Sequence, residues 1–300
     1  LESLAVSIHG WVVLDKPLGL SSAQGVAAVK RILRTGGFAK TKIGHGGTLD
    51  PLATGVLPIA LGEATKLAGR MLDATKGYAF EVRWGQATAT DDAEGEVVAE
   101  SDVRPTRDQI EAVLPQFRGP IVQVPPGFSA LKVDGVRAYK LARAGEAFEL
   151  AARHLTIHAL NLVDCDTDTA RFEVTCSKGT YVRSLARDIA LTLDTVGHVS
   201  ALRRTRAGPF TLAQAISLDN WAALLQEAGL EQAVLPLTAG LDDIPAYAVS
   251  PEEATALRQG RTLPGHPAYH GLYLATDGPV PVALVDIDAT AIRVVRGFNL

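Results

Sequence analysis

The sequence predicts an α+β protein, with a mixed domain over residues 1–244 and a small β-rich domain over 245–300. Helical and strand-like segments are intermixed from Gly10 to Leu193. A stretch rich in turn formers, LPLTAGLDDIPAYAV at 235–249, marks the boundary. Beyond it, short strand-like runs separated by Gly-Pro turns read as a small barrel.

Each element has a local cause. HGWVVLDKP, from His9, reads as a short buried strand halted by Pro17. Ser21 or Ser22 caps a helix running through Arg34, with Val26, Val29, Ile32 and Leu33 on its apolar face. After a glycine-rich loop, GEATKLAGRMLDA has helical spacing and GYAFEVRWG alternates as a half-buried strand. The acidic DDAEGE is a turn. Thr106 with Gln109 makes a capping box for a helix ending near Phe117. PIVQVPPGFSALKVDG is extended and broken by prolines, ahead of an amphipathic helix near 137–144. HLTIHALNLV and ARFEVTCS are strands. The helix TYVRSLARDIALTL then carries Val182, Leu185, Ile189 and Leu193 on one face and Arg183 with Arg187 on another. In the small domain, Ser250, Pro251 and Glu253 open a last helix.

A hydrophobic content of 47% over 300 residues excludes wholesale disorder. No apolar run reaches the ~18 residues of a membrane span. No basic leader precedes a long apolar stretch, so no signal peptide is expected, and the missing initiator Met suggests a trimmed or unusual start. Cys165 and Cys176 are too few and too far apart for a zinc site or disulfide framework, and read as buried free thiols of a cytoplasmic protein. The net charge is −4, unevenly spread: residues 207–300 hold 4 basic and 10 acidic groups, so the tail domain reads as acidic. Basic residues cluster at Lys30, Arg31, Arg34, Lys40 and Lys42; at Lys132, Arg137, Lys140 and Arg143; and at Arg183, Arg187, Arg203, Arg204 and Arg206. Such clusters can build a positive cleft or be the solvated faces of unrelated helices.

Several chemistries fail. GHGGTLD lacks the GK[ST] ending of a phosphate loop and the spacing of a dinucleotide fingerprint. His154 and His158 lie in a strand, too far apart to chelate, so no metal site is expected. No GxSxG elbow or catalytic cysteine signature occurs. What remains is Asp50 in GHGGTLDPLATG. It either opens an ordinary Asp-Pro turn or is presented to a substrate by glycines that admit close approach. A carboxylate is ionised at neutral pH and can act as nucleophile or base, provided an arginine holds and orients it.

LDKPLGLSS at 14–22, GHGGTLDPLATGVLPIALGEATK at 44–66, KGYAFEVRWGQATATDD at 76–92, SALKVDGVRAYKLARAG at 129–145, CSKGTYVRSLARDI at 176–189 and LRRTRAGPF at 202–210 follow one another in a fixed order. In these six stretches the chain resembles the TruB family of tRNA pseudouridine synthases, which isomerise uridine 55 in the T-loop. The resemblance implies a mainly antiparallel mixed sheet with flanking helices and a C-terminal PUA domain. It implies Asp50 as the catalytic aspartate. Tyr78 becomes the aromatic that stacks on the flipped uracil and is implicated in proton removal. Arg183 pairs with the aspartate, and Leu202 is an apolar wall of the uracil pocket. His45 fills the space the base leaves, with Tyr181 and Lys66 in supporting, substrate-binding positions. It further implies a tRNA T-arm substrate, no cofactor, no membrane and a monomer needing no protein partner.

Two departures stand out. Phe128 replaces a usual Tyr before SALK, losing a hydroxyl, and Gly77 replaces a larger residue beside Tyr78, which would loosen that strand. The chemistry agrees with the resemblance. Breaking the N1–C1′ bond, turning the uracil and rejoining it through C5 needs one carboxylate, attacking C1′ or C6, and a base for the C5 proton. Competing readings are a guide-RNA-dependent relative, which normally has longer terminal extensions, and a non-catalytic RNA-binding or RNA-folding protein. The Asp50, Tyr78 and Arg183 set argues against the latter.

Overall fold

A computed structural model describes residues 7–129 and 131–300. Residues 1–6, the start of the stretch expected to hold no leader, and Ala130 of the SALK motif lie outside the described residues. Among these, nine strands form one mixed sheet. Its main path runs Gly10–Lys16, Ala53–Leu61, Gly197–Ala207, Lys76–Trp84, Thr169–Cys176, Arg153–Cys165 and Gly119–Gln123. Every neighbouring pair on this path is antiparallel except Ala53–Leu61 with Gly197–Ala207, which run parallel. The strand Ala53–Leu61 is buried on both faces over almost its whole length, which is why VLPIAL reads as a continuous apolar run.

Local signals set the flanking helices. Ser21 caps the helix Ser22–Thr35 with a full capping box to Gln24, and Thr106 does the same for Arg107–Val113 through Gln109. Val29 and Leu33 are buried against the sheet, as are Val182, Leu185 and Ile189 of the helix Val182–Thr192. Gly77 does not loosen its strand, because it is paired on both sides, to Thr175 and Arg206. A Cβ there would come within 3.0 Å of the Thr205 hydroxyl, where the neighbouring strand bulges, so the position favours a residue without one. Both cysteines are free thiols, but of the two expected to be buried only Cys176 is; Cys165, at the end of the strand Arg153–Cys165, is half-buried.

Residues from 246 onward form a five-stranded sheet in the order Ala246–Ala248, Gly271–Asp277, Val280–Ile287, Ala291–Gly297, Leu263–Pro264, with the helix Pro251–Arg258 packed on it. The path has two ends, so among the described residues the sheet is a half-barrel rather than the closed barrel expected. Its charge also differs from expectation. Asp219, Glu227, Glu231, Asp242 and Asp243 precede Pro245, leaving five acidic and four basic residues in 245–300, a nearly neutral unit. Leu274 and Leu284 of this sheet, with Phe298 just past its last long strand, share a buried cluster with Trp11, Val13 and Phe210 of the large sheet and with Met71. No described helix is long and apolar enough to cross a membrane.

Candidate active site

The centre of the large sheet opens into a cavity of about 1000 Å³. Tyr78 and Lys76 alternate on one strand, Leu202 and Arg204 on the next, so the two-residue period puts all four on the cavity wall. Arg204 lies directly across from Tyr78 in the register. The loop carrying Asp50 crosses the same opening, and the start of the helix Val182–Thr192 closes it with Tyr181, Val182 and Arg183.

The Asp50 loop is held by its backbone from four directions. Buried Arg204 donates to the carbonyls of Val56 at 2.7 Å, and of Thr48 and Gly47 at 3.2 Å each. Buried Ser22 accepts from Leu49 N–H at 2.7 Å and donates to its carbonyl at 3.0 Å. Pro51 C=O accepts from Gly19 N–H at 2.9 Å and from Lys16 Nζ at 3.3 Å. Gly47, with φ of +133°, is required where this loop passes the Arg204 guanidinium. The carboxylate of Asp50, 39% exposed, is left to point into the cavity.

Its partner is Arg183, 5% exposed, whose Nη2 lies 2.9 Å from Asp50 Oδ2. The pair is not the bidentate fork the residue types allow, because the guanidinium is shared. Nη2 also donates to Phe128 C=O at 3.0 Å, and Nη1 donates to Thr90 C=O at 2.8 Å and faces Asp92 Oδ2 at 3.5 Å. Arg183 stands in the first turn of its helix, where the macrodipole disfavours a cation, and two carboxylates offset that. The Phe128 contact runs through its carbonyl, so the missing hydroxyl does not disturb it. Asp92 belongs to the DDAEGE turn but is buried, anchored by Thr90 Oγ1 at 2.5 Å and Glu94 N–H at 3.0 Å.

Tyr181 lines the cavity, its backbone clamped by buried Gln123, which accepts from Tyr181 N–H at 2.9 Å and donates to its carbonyl at 3.1 Å. Two expected substrate-binding residues are not brought to the cavity wall. His45 sits half-buried in Ile43–His45, paired with Ile59, and burial followed by the Arg204 charge holds its imidazole below its usual value. Lys66 lies at the seam between the sheets, 2.6 Å from Glu63 and donating to Gly297 C=O at 2.9 Å.

Burial dominates the electrostatics here. It pushes the Tyr78 phenol above its ordinary value near 10, with the Arg204 charge opposing, so the ring is a neutral face in the free protein. It raises the Glu94 carboxyl, helped by Asp92 and Asp50, and lowers the Lys76 ammonium to about 8, helped by Arg204. Lys76 donates to the carbonyls of Met71, Leu72 and Ala74. Among the described residues no group of three His, Cys, Asp or Glu is placed to hold a metal.

Residues 30–182 match the family model described as TruB family pseudouridylate synthase (N terminal domain). Residues 183–242 match the tRNA pseudouridylate synthase B C-terminal domain. The chain belongs to the TruB family of pseudouridylate synthases. It is an isomerase of that family. Among relatives, it is 59% identical over 298 residues to a tRNA pseudouridine synthase B from Novosphingobium aromaticivorans, covering 98% of both chains. It is 55% identical over 293 residues to one from Zymomonas mobilis, covering 98% of this chain and 97% of that one. The fold resembles that of a chain in a solved Cbf5–Nop10–Gar1 complex, with a TM-score of 0.74 and 28% identity over 97% of this chain and 85% of that one. A similar TM-score of 0.74, at 25% identity and the same coverage, relates it to a chain of an H/ACA RNP bound to a substrate RNA.

The sequence assigns Asp92, Ser22, Arg204, Gln123 and Lys76 no role in the site, although it marks Ser22 as a cap candidate and Arg204 as one of a basic cluster. All but Gln123 lie inside the motif stretches, Ser22 in 14–22, Lys76 and Asp92 at the two ends of 76–92 and Arg204 in 202–210, but their contacts become visible only when distant segments meet.

Proposed function

We propose that this pseudouridylate synthase converts uridine 55 in the T-loop of tRNA to pseudouridine, with Asp50 attacking the target nucleoside at C1′ or C6. The observation that carries the reading is the Asp50–Arg183 pair at 2.9 Å on the wall of a cavity that also holds Tyr78 and Leu202. A uracil turned out of its stack, at a cost of a few kcal/mol, needs an aromatic face and an apolar wall. Tyr78 and Leu202 offer both. Arg183 keeps the carboxylate charged and aimed, and a neutral Tyr78 phenol acts first as a stacking surface. Tyr181 supports the other side of the base. The isomerisation conserves every atom and electron, so we assign it no cofactor. The five-stranded sheet from 246 onward acts as a PUA-like RNA-binding unit, with the division near residue 245, and the protein works in the cytoplasm as a monomer.

Purified protein is incubated with unmodified tRNA transcript in EDTA-containing buffer, and pseudouridine is mapped. The expected result is product at position 55 and none from Asp50→Asn. Product elsewhere, or equal product from the variant, overturns the reading.

A further inference from the structure

The three basic clusters of the sequence do not survive folding equally. Of the last, Arg183 pairs with Asp50 and Asp92, Arg187 with Asp91 and Asp188, and Arg203 with Asp15. Arg204 is buried on backbone carbonyls, and Arg206 donates to Gly208 C=O. In the second, Arg143 lies over the Tyr139 ring at 5.7 Å, on the cavity rim, while Lys132 and Lys140 are exposed with no partner among the described residues. The first cluster is the one in which every member is open. Lys30, Arg31, Arg34, Lys40 and Lys42 are all exposed, and among the described residues none of these five side chains has a partner.

Two further observations make this a surface with a purpose. No Asp or Glu stands between Asp15 and Asp50, although the chain as a whole is acidic at net −4. An ordinary solvated face mixes signs; this one excludes acids over its entire segment. Cations in the last helical turn also complement the helix dipole, which would account for Arg34, but Lys40 and Lys42 lie beyond the helix end. Lys30, Arg31 and Arg34 are three and four apart, so they share the outward side of Ser22–Thr35. That helix is capped by Ser21 on the cavity rim, and its rise of about 1.5 Å per residue carries Lys30, Arg31 and Arg34 about 14–20 Å along it.

We infer that the face formed by the C-terminal half of helix Ser22–Thr35 and the segment 36–42 is a phosphate-backbone site for the part of the substrate RNA lying beyond the T-arm stem-loop. This rests on the RNA-modifying reading of the cavity. A base held at Asp50 leaves the rest of the RNA outside the cavity, and a row of unpaired cations is the complement of its phosphates. The site grips without reading sequence, so it adds affinity and association rate and leaves the chemical step alone.

The test is the triple variant Lys30→Gln, Arg31→Gln, Arg34→Gln, with filter binding to full-length tRNA and to an isolated T-arm hairpin across a salt series. Each duplex phosphate contact contributes roughly 0.9 to the slope of log K against log salt, so the tRNA slope should fall by about 2–3. The hairpin slope should stay as in the wild type. KM for tRNA rises about tenfold while kcat stays within twofold. An unchanged tRNA slope, or an equal change on the hairpin, overturns the inference. So does a lower melting temperature with unaltered binding, which would make the cations helix-end stabilisers only. Lys40→Gln with Lys42→Gln, outside the helix, repeats the test if the triple variant does not fold. Binding does not need turnover, so a wild type that binds with this salt dependence but forms no pseudouridine would reject the functional reading and leave the site standing.

Discussion

Arg183 distributes its guanidinium over four acceptors, Asp50, Asp92 and the carbonyls of Thr90 and Phe128, from a buried position in the first turn of its helix. A planar fork can satisfy these directions together; an ammonium, with one nitrogen, can sit beside only part of the set. Asp50 itself makes no other ion pair among the described residues, so its aim depends on this one contact. Arg183→Lys should therefore lower kcat by roughly 10²-fold or more, the scale of losing one preorganised charge at a reacting centre. Binding of tRNA, which draws on remote contacts, should change little. Turnover within a fewfold of wild type would contradict the shared-fork geometry.

At the scale of elements, the Asp50 loop is a device assembled from four separate stretches: Lys16 and Gly19, Ser22, Arg204 and the loop itself. Ser22 offers the cleanest test because its hydroxyl serves both backbone groups of Leu49. Ser22→Ala leaves a buried N–H and C=O without partners, which costs about 1–3 kcal/mol. The expected outcome is a melting temperature lower by a few degrees together with reduced kcat, because the loop that aims Asp50 loosens. Unaltered values for both would show that the clamp is dispensable.

The same elements show what was legible beforehand. Periodicity and capping residues located the helices at Ser22 and Arg107, because those causes are local. The six ordered motifs brought Asp50, Tyr78, Leu202 and Arg183 to one cavity. Ser22 and Arg204 were hidden, since a clamp is defined by a partner dozens or hundreds of residues away. Charge counts failed for a related reason: Arg187 and Lys30 look alike in sequence, yet one is neutralised by Asp91 and Asp188 and the other has no partner among the described residues. Lys66 carries a motif position but ends at the seam between sheets, a long-range contact that no local pattern records.

For the whole molecule, that seam decides whether the small sheet is an appendage or part of the fold. Leu274, Leu284 and Phe298 complete the cluster around Trp11 and Phe210, so the large sheet's outer face is not covered without them. Polar contacts close the edge of the same seam: Lys66 to Gly297 C=O at 2.9 Å, Asn299 N–H to Glu63 at 2.8 Å, and the Lys66–Glu63 pair between them. The apolar part dominates, because the polar groups are partly exposed and each contributes at most about 1 kcal/mol. Phe298 is fully buried near the chain end, and Phe298→Ala should cost about 3–5 kcal/mol, the range for removing a large core aromatic. If the sheets form one cooperative unit, calorimetry of the wild type shows a single transition, and Phe298→Ala shifts that whole transition downward. A half-barrel hung on a flexible boundary would instead melt separately, and the substitution would move only the smaller transition. The shared cluster predicts the first outcome, and with it a rigid path from the small sheet to the strand that carries Trp11 and ends beside the Asp50 loop.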